Sequence, residues 1–255
     1  VVGFVVGNRC QEGILTNQHI ERTLFHWKSS ICIQRHSMYF DGKEYVKWID
    51  DSYLLMAKAN FYKQEYIPAR RTFDFVANSY DDENTKCVAN LWLAKTYIET
   101  QQYPKAESLL QSLIVATSEN DKMPKFVRNN LDLVYADYYI KTKQYDNASR
   151  YLKSALLKNI KKNTKARTMF ILGQIYEYQG DNRKATEQFE AVIKKHPGYE
   201  MTFEAQINLA RCHDSRDTTE IMRMFWKMLK DSKNKEFRDR IYYAMSDVAI
   251  KENNE

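Results

Sequence analysis

Small and large apolar residues recur along this chain in a fixed order. A small residue (Ala57, Ala94, Ala136, Gly173) is followed twelve positions later by an alanine (Ala69, Ala106, Ala148, Ala185). Four and seven positions after each alanine stand further apolar residues: Phe73 and Val76, Leu110 and Leu113, Leu152 and Ala155, Phe189 and Val192. Steps of four and seven keep side chains on one face of an α-helix, so each set predicts a helix that buries one stripe. Aromatic residues fall into the same frame, with Tyr97, Tyr139 and Tyr176 three positions after the small residue and Tyr66, Tyr103 and Tyr145 shortly before the alanine. The order predicts two antiparallel helices per unit, A and B, which cross closely where the side chains are small.

The B-helix alanines stand 37, 42 and 37 positions apart. A helix pair repeating at about 34 residues is the tetratricopeptide unit, and the surplus falls in connections such as 118–124. The pattern therefore predicts an all-α solenoid of tandem tetratricopeptide repeats over residues 48–255. Four units are clear. A fifth is weaker, with Ala210 at the small position of a helix over 201–213, a short turn over 214–218, and an apolar helix carrying Ile221, Met224, Phe225, Met228 and Leu229. Residues 237–251 place Ile241, Ala244, Met245 and Val248 on one face, as a further A helix without a B partner, which implies a piece of a longer array. Residues 1–47 read as irregular or partly helical, with a helix within 20–39, a turn at Gly42 and no period over 1–16.

Local signals mark the helix ends. Asp81, Asp82 and Glu83 supply acceptors and negative charge where the second unit starts, and Asp50, Asp51 and Ser52 are expected to start the first in the same way. Pro68 and Pro104 fall in the first turn of B helices, where a missing N–H costs nothing. Residues 158–165, with Lys161 and Lys162, read as a solvated turn.

Composition narrows the function. Seven Gly and 4 Pro against 18 Tyr and 12 Phe leave too little turn chemistry for an all-β fold. The 39 Lys and Arg against 33 Asp and Glu are interspersed, so the net charge of +6 serves solubility and no nucleic-acid partner is expected. Cys10, Cys32, Cys87 and Cys212 form no CxxC pair and have no His at zinc spacing, and His19 and His26, seven apart, match no metal-binding motif, so neither a metal nor a cofactor is expected. His196 and His213 read as structural residues at repeat positions. No nucleophile elbow, phosphate loop, HExxH or dinucleotide-binding glycine pattern occurs, and the expectation is a protein that is not an enzyme.

Stacked A helices line the concave wall of such an array. The residues following each small A position form a column of Lys58, Lys95, Asp137, Gln174 and Arg211, with Phe61, Tyr62 and Tyr178 further along the same helices. Basic heads mixed with aromatic surface suit an extended, partly acidic peptide.

Two segments are more specific than the repeat. One runs from Arg35-His36-Ser37-Met38 through Gly42-Lys43-Glu44-Tyr45 to Trp48-Ile49-Asp50-Asp51-Ser52-Tyr53-Leu54-Leu55; the other joins Leu229-Lys230-Asp231 and Lys233-Asn234-Lys235 to Ile241-Tyr242-Tyr243-Ala244. Together they resemble the tetratricopeptide lipoproteins of Bacteroidetes of the SprE and PorW kind, which serve gliding motility and type IX secretion, over residues 31–255. The resemblance implies an outer-membrane lipoprotein facing the periplasm, touching the membrane only through a lipid anchor absent from this chain, with secretion-machinery components as its protein partners. The alternatives are a general outer-membrane assembly or cell-division repeat lipoprotein, or a recruiting region of a larger enzyme, with a cytoplasmic location if the resemblance fails.

Overall fold

The computed structural model describes residues 26–40, 43–46, 48–119, 123–212 and 218–253. Expectations for residues 1–16, Gly42, Cys10, His19, His213 and the turn at 214–217 lie outside these. Helix α1 covers 26–36. It is followed by β1 (Tyr39–Phe40), β2 (Lys43–Glu44), α2 (Ile49–Tyr62), α3 (Tyr66–Ser79), α4 (Glu83–Glu99), α5 (Tyr103–Glu119) and α6 (Lys125–Lys141). Then come α7 (Tyr145–Leu157), α8 (Lys162–Tyr178), α9 (Asn182–Lys195), α10 (Tyr199–Cys212), α11 (Thr218–Lys230), a 3-10 turn (Ser232–Phe237) and α12 (Arg238–Asn253). The chain divides into two compact units, Val1–Tyr151 and Leu152–Glu255, with the boundary inside α7.

Helices α2 and α3, α4 and α5, and α8 and α9 pack as pairs, and α6 meets α7 through the stacked rings of Tyr135 and Tyr151. In each pair the alanine, Ala69, Ala106, Ala148 or Ala185, is fully buried, as the twelve-residue offset requires. Gly173 shows why the A position must be small: a Cβ there would lie 2.8 Å from the ring of Phe189, itself fully buried.

The A-to-B turns repeat in hydrogen-bond detail. Gln64, Gln101, Lys143 and Gly180 each adopt a left-handed backbone, with φ of 65°, 58°, 60° and 79°. Each N–H reaches back three residues, and the following N–H reaches back five, to the carbonyls of Asn60, Tyr97, Tyr139 and Tyr176 at 2.8–2.9 Å. This is the Schellman closure, which satisfies the last carbonyls of an A helix while reversing the chain.

Several helix ends differ from expectation. Asp82 does cap α4, accepting from the Thr85 N–H at 2.8 Å. Asp50 and Asp51, however, lie within the first turn of α2, whose N-cap is Trp48 with no side-chain bond. Asp50 instead receives the Thr85 hydroxyl at 2.9 Å, tying α2 to α4. Helix α5 absorbs Ser118, and α8 starts at Lys162, so only 158–161 remain of the expected lysine turn. The strands β1 and β2 were not foreseen in an all-α pattern. They pair antiparallel, Tyr39 with Glu44 and Phe40 with Lys43. The Glu44 carboxylate stays beside the pair by accepting the Ser37 hydroxyl and the N–H groups of Met38 and Val46. Burial opposes its charge, but these hydrogen bonds hold its pKa below the usual carboxylate value.

Tyrosines fill the junction of α6 and α7. Tyr151 stacks on Tyr135 at 4.8 Å and Tyr139 at 5.4 Å, and the Tyr138 hydroxyl donates to Glu107 on α5 at 3.1 Å. Burial, then the hydrogen bond and charge of Glu107, push the Tyr138 pKa up to about 12. A folded pKa above the unfolded value of about 10 gives stability that is complete below pH 10 and lost as pH rises through 12. Urea unfolding on either side of that window should show a smaller alkaline loss for Tyr138→Phe than for the parent chain. Equal losses would remove Tyr138 from the account.

Candidate partner-binding surfaces

In the first unit the A helices bring four of the column residues together around one that the sequence reading missed. Lys58, Phe61 and Tyr62 stand on α2, Trp92 and Lys95 on α4, and Phe126 on α6. The Trp92 ring meets Phe61 at 5.4 Å and Tyr62 at 5.7 Å, both edge-on, and stacks on Phe73 of α3 at 6.0 Å. Lys95 Nζ lies 4.1 Å from the Trp92 centroid and 5.4 Å from that of Phe61. Lys58 Nζ lies 5.7 Å from Trp92 and 5.8 Å from Phe126. Both ammoniums thus rest on aromatic faces, which attract cation charge. Burial pushes the Lys58 pKa down, and nearby Asp51 only partly offsets this.

Trp92 is 5% exposed, and its indole N–H has no hydrogen-bond partner among the described residues; the same holds for Asn60 Oδ1, which is 4% exposed. Asn60 occupies the place that Tyr97, Tyr139 and Tyr176 take in the other units. The signal for Trp92 was its position three residues before Lys95, which puts both on one helix face.

Beside this cluster is a cleft of about 690 Å³. Its walls carry five carboxylates, Glu44, Asp50, Asp51, Asp81 and Asp82, around the apolar side chains of Val46, Leu54, Val88 and Phe126, with Lys58 also in its lining. The carboxylates come from the β2 hairpin, the first turn of α2 and the approach to α4, so no local stretch of sequence announces them. Their surplus over Lys58 makes the cleft negative, beside the basic heads of Lys58 and Lys95. Asp137, half-buried on α6, adds to the negative charge around Lys141, whose Nζ is 3.2 Å from Glu99 on α4.

The remaining column residues belong to the second unit. Gln174 is half-buried and Tyr178 60% exposed on α8, while Arg211 on α10 reaches Glu177 at 3.5 Å. Arg211 is thereby a tie between neighbouring A helices, as Lys141 is to Glu99 in the first unit, and not a free cation awaiting an anionic ligand. Among the described residues no group of three His, Cys, Asp or Glu side chains is placed to hold a metal, and no helix is long and apolar enough to cross a membrane.

The tetratricopeptide repeat family model matches residues 167–199, which span most of α8 and all of α9. No curated protein matches the chain. Two solved structures, described as crystal structures of MamA, are similar. One has 18% identity and a TM-score of 0.48, covering 82% of this chain and 94% of that one. The other has 18% identity and a TM-score of 0.47, covering 78% and 95%. By its helix pairs and turns the chain has an all-α fold of antiparallel helix pairs, in which α8 and α9 match the tetratricopeptide repeat.

Proposed function

We propose that this chain is a scaffold that acts by protein contact and not by catalysis, and that its first unit receives an extended segment of another protein across α2, α4 and α6. The observation that carries this is the cluster of Lys58, Phe61, Tyr62, Trp92 and Lys95 beside the acidic cleft. It offers aromatic surface and both signs of charge within one concave region. A basic side chain of the segment enters between the carboxylates, and an apolar or acidic one meets Tyr62 and Lys95. The segment is therefore of mixed charge, and less acidic than the A-helix column alone implied.

The resemblance over residues 31–255 supports a finer reading. In it the protein is an outer-membrane lipoprotein at the periplasmic face, linking components of the type IX secretion and gliding machinery. A photo-crosslinking residue at Tyr62, which is 45% exposed, tests both levels in cells. The expected product joins the chain to a secretion component and is lost in Lys95→Met, with helical circular dichroism unchanged. Crosslinking indifferent to Lys95→Met would reject the surface, and recovery of the intact protein from the cytoplasm would reject the envelope role.

A further inference from the structure

The second unit leaves a tryptophan in solvent. Helix α11 turns Ile221, Phe225, Met228 and Leu229 into a core shared with Phe203, Ile207 and Ala210 of α10 and Ile241, Ala244 and Met245 of α12. On the opposite side Arg223, Trp226, Lys227 and Lys230 are all exposed, the indole by 54%. Their spacing of three, four and seven residues from Arg223 places them on one helical face. None of the three cations is in an ion pair with a described residue, and Glu220 is the one carboxylate in α11. Elsewhere in the unit Arg211 meets Glu177, and Arg240 forks onto Glu204 at 2.5 and 2.8 Å.

Anionic lipid and an acidic protein segment both complement such a face in charge. A helix that binds lipid gives its apolar stripe to the bilayer, whereas the apolar stripe of α11 is already buried within the unit. What remains outside is one indole ringed by cations, the arrangement of an aromatic anchor inside a charged rim. A packed inner face also holds the outer one in place before any partner arrives, which lowers the ordering cost of binding.

We infer that the outer face of α11 docks an acidic segment of a partner protein, with one apolar side chain packed on Trp226 and carboxylates meeting Arg223, Lys227 and Lys230. The cations are about 4.5–6 Å apart along the helix axis. The carboxylates of the segment recur at a similar distance, as at alternate positions of an extended chain or successive turns of a helix. This face lies in a different unit from the surface of the preceding section and selects the opposite charge from its cleft.

The test uses a fluorescein-labelled peptide in which Glu recurs at every third or fourth position around a central Leu, with Gln and Lys versions, read by anisotropy against the full chain. Saturable binding of the Glu peptide alone is expected, weakened by added salt. Its Kd should rise at least about tenfold in Trp226→Ala and in the triple variant Arg223→Glu, Lys227→Glu, Lys230→Glu, all on a side of α11 that the core does not use. Lys95→Met should leave it unchanged, so failure here and failure of the first-unit surface are told apart. No saturable binding, equal binding of the Gln peptide, or an affinity indifferent to both α11 variants would overturn the proposal. So would binding of phosphatidylglycerol vesicles that requires Trp226 while the peptide is ignored.

Discussion

Trp92→Ala is expected to destabilise the first unit by about 3 kcal/mol and to abolish partner binding at the α2 and α4 face. Truncating a buried Trp or Phe commonly costs about 3–5 kcal/mol, and this indole contacts Phe61, Tyr62 and Phe73 while supporting Lys58 and Lys95. The lower end applies because the indole N–H is buried without a partner among the described residues, and removing an unsatisfied donor returns about 1–3 kcal/mol. The same bookkeeping separates Trp92→Phe, which keeps a ring against Phe73 and discards the orphaned N–H. Urea unfolding should place Trp92→Phe within about 1 kcal/mol of the parent chain. If it costs as much as Trp92→Ala, the N–H has a partner in solution and the accounting fails.

The second large effect belongs to the pair formed by Gly173 and Phe189. Phe189→Ala should cost about 3–5 kcal/mol, because the ring is fully buried and fills the space a side chain at 173 would otherwise take. Gly173→Ala attacks the same contact from the other side. Its Cβ would meet the ring at 2.8 Å, an overpacking worth about 1–3 kcal/mol, against about 1 kcal/mol regained from helix propensity. The two sites must therefore couple: Phe189→Leu should relieve Gly173→Ala, and their combined cost should fall below the sum. A double-mutant cycle in urea measures this, and additivity would mean that the helices do not cross at these residues.

The repeat was legible because helix crossing leaves no choice of side-chain size. Ala57, Ala94, Ala136 and Gly173, with the alanines twelve further on, are small for the reason Gly173 makes plain, so the register survives large differences elsewhere. Helix ends were partly legible. Asp82 caps α4 through a local bond to Thr85, whereas Asp50 takes its hydrogen bond from the same Thr85 across 35 positions, which no local rule anticipates. The β1 and β2 pair is only two residues a side, too short to show alternation. In the binding surfaces, the meeting of Lys58 with Lys95 follows from stacked A helices, and Trp92 from its place before Lys95. The acidic cleft does not follow, since Glu44, Asp50 and Asp82 come from separate elements. Nor does the tie of Arg211 to Glu177, which is made between repeats.

The four left-handed turns have a consequence for how the chain assembles. A non-glycine residue in that region is held there at a cost of about 1 kcal/mol or more, which surrounding structure must impose. Gln64, Gln101 and Lys143 carry that load, and only Gly180 escapes it. A hairpin whose turn is strained gains less from forming alone, and α8 and α9 are the pair that carries no such cost at its turn. Closure of the other three pairs is thereby tied to the packing that holds Gln64, Gln101 and Lys143 in place.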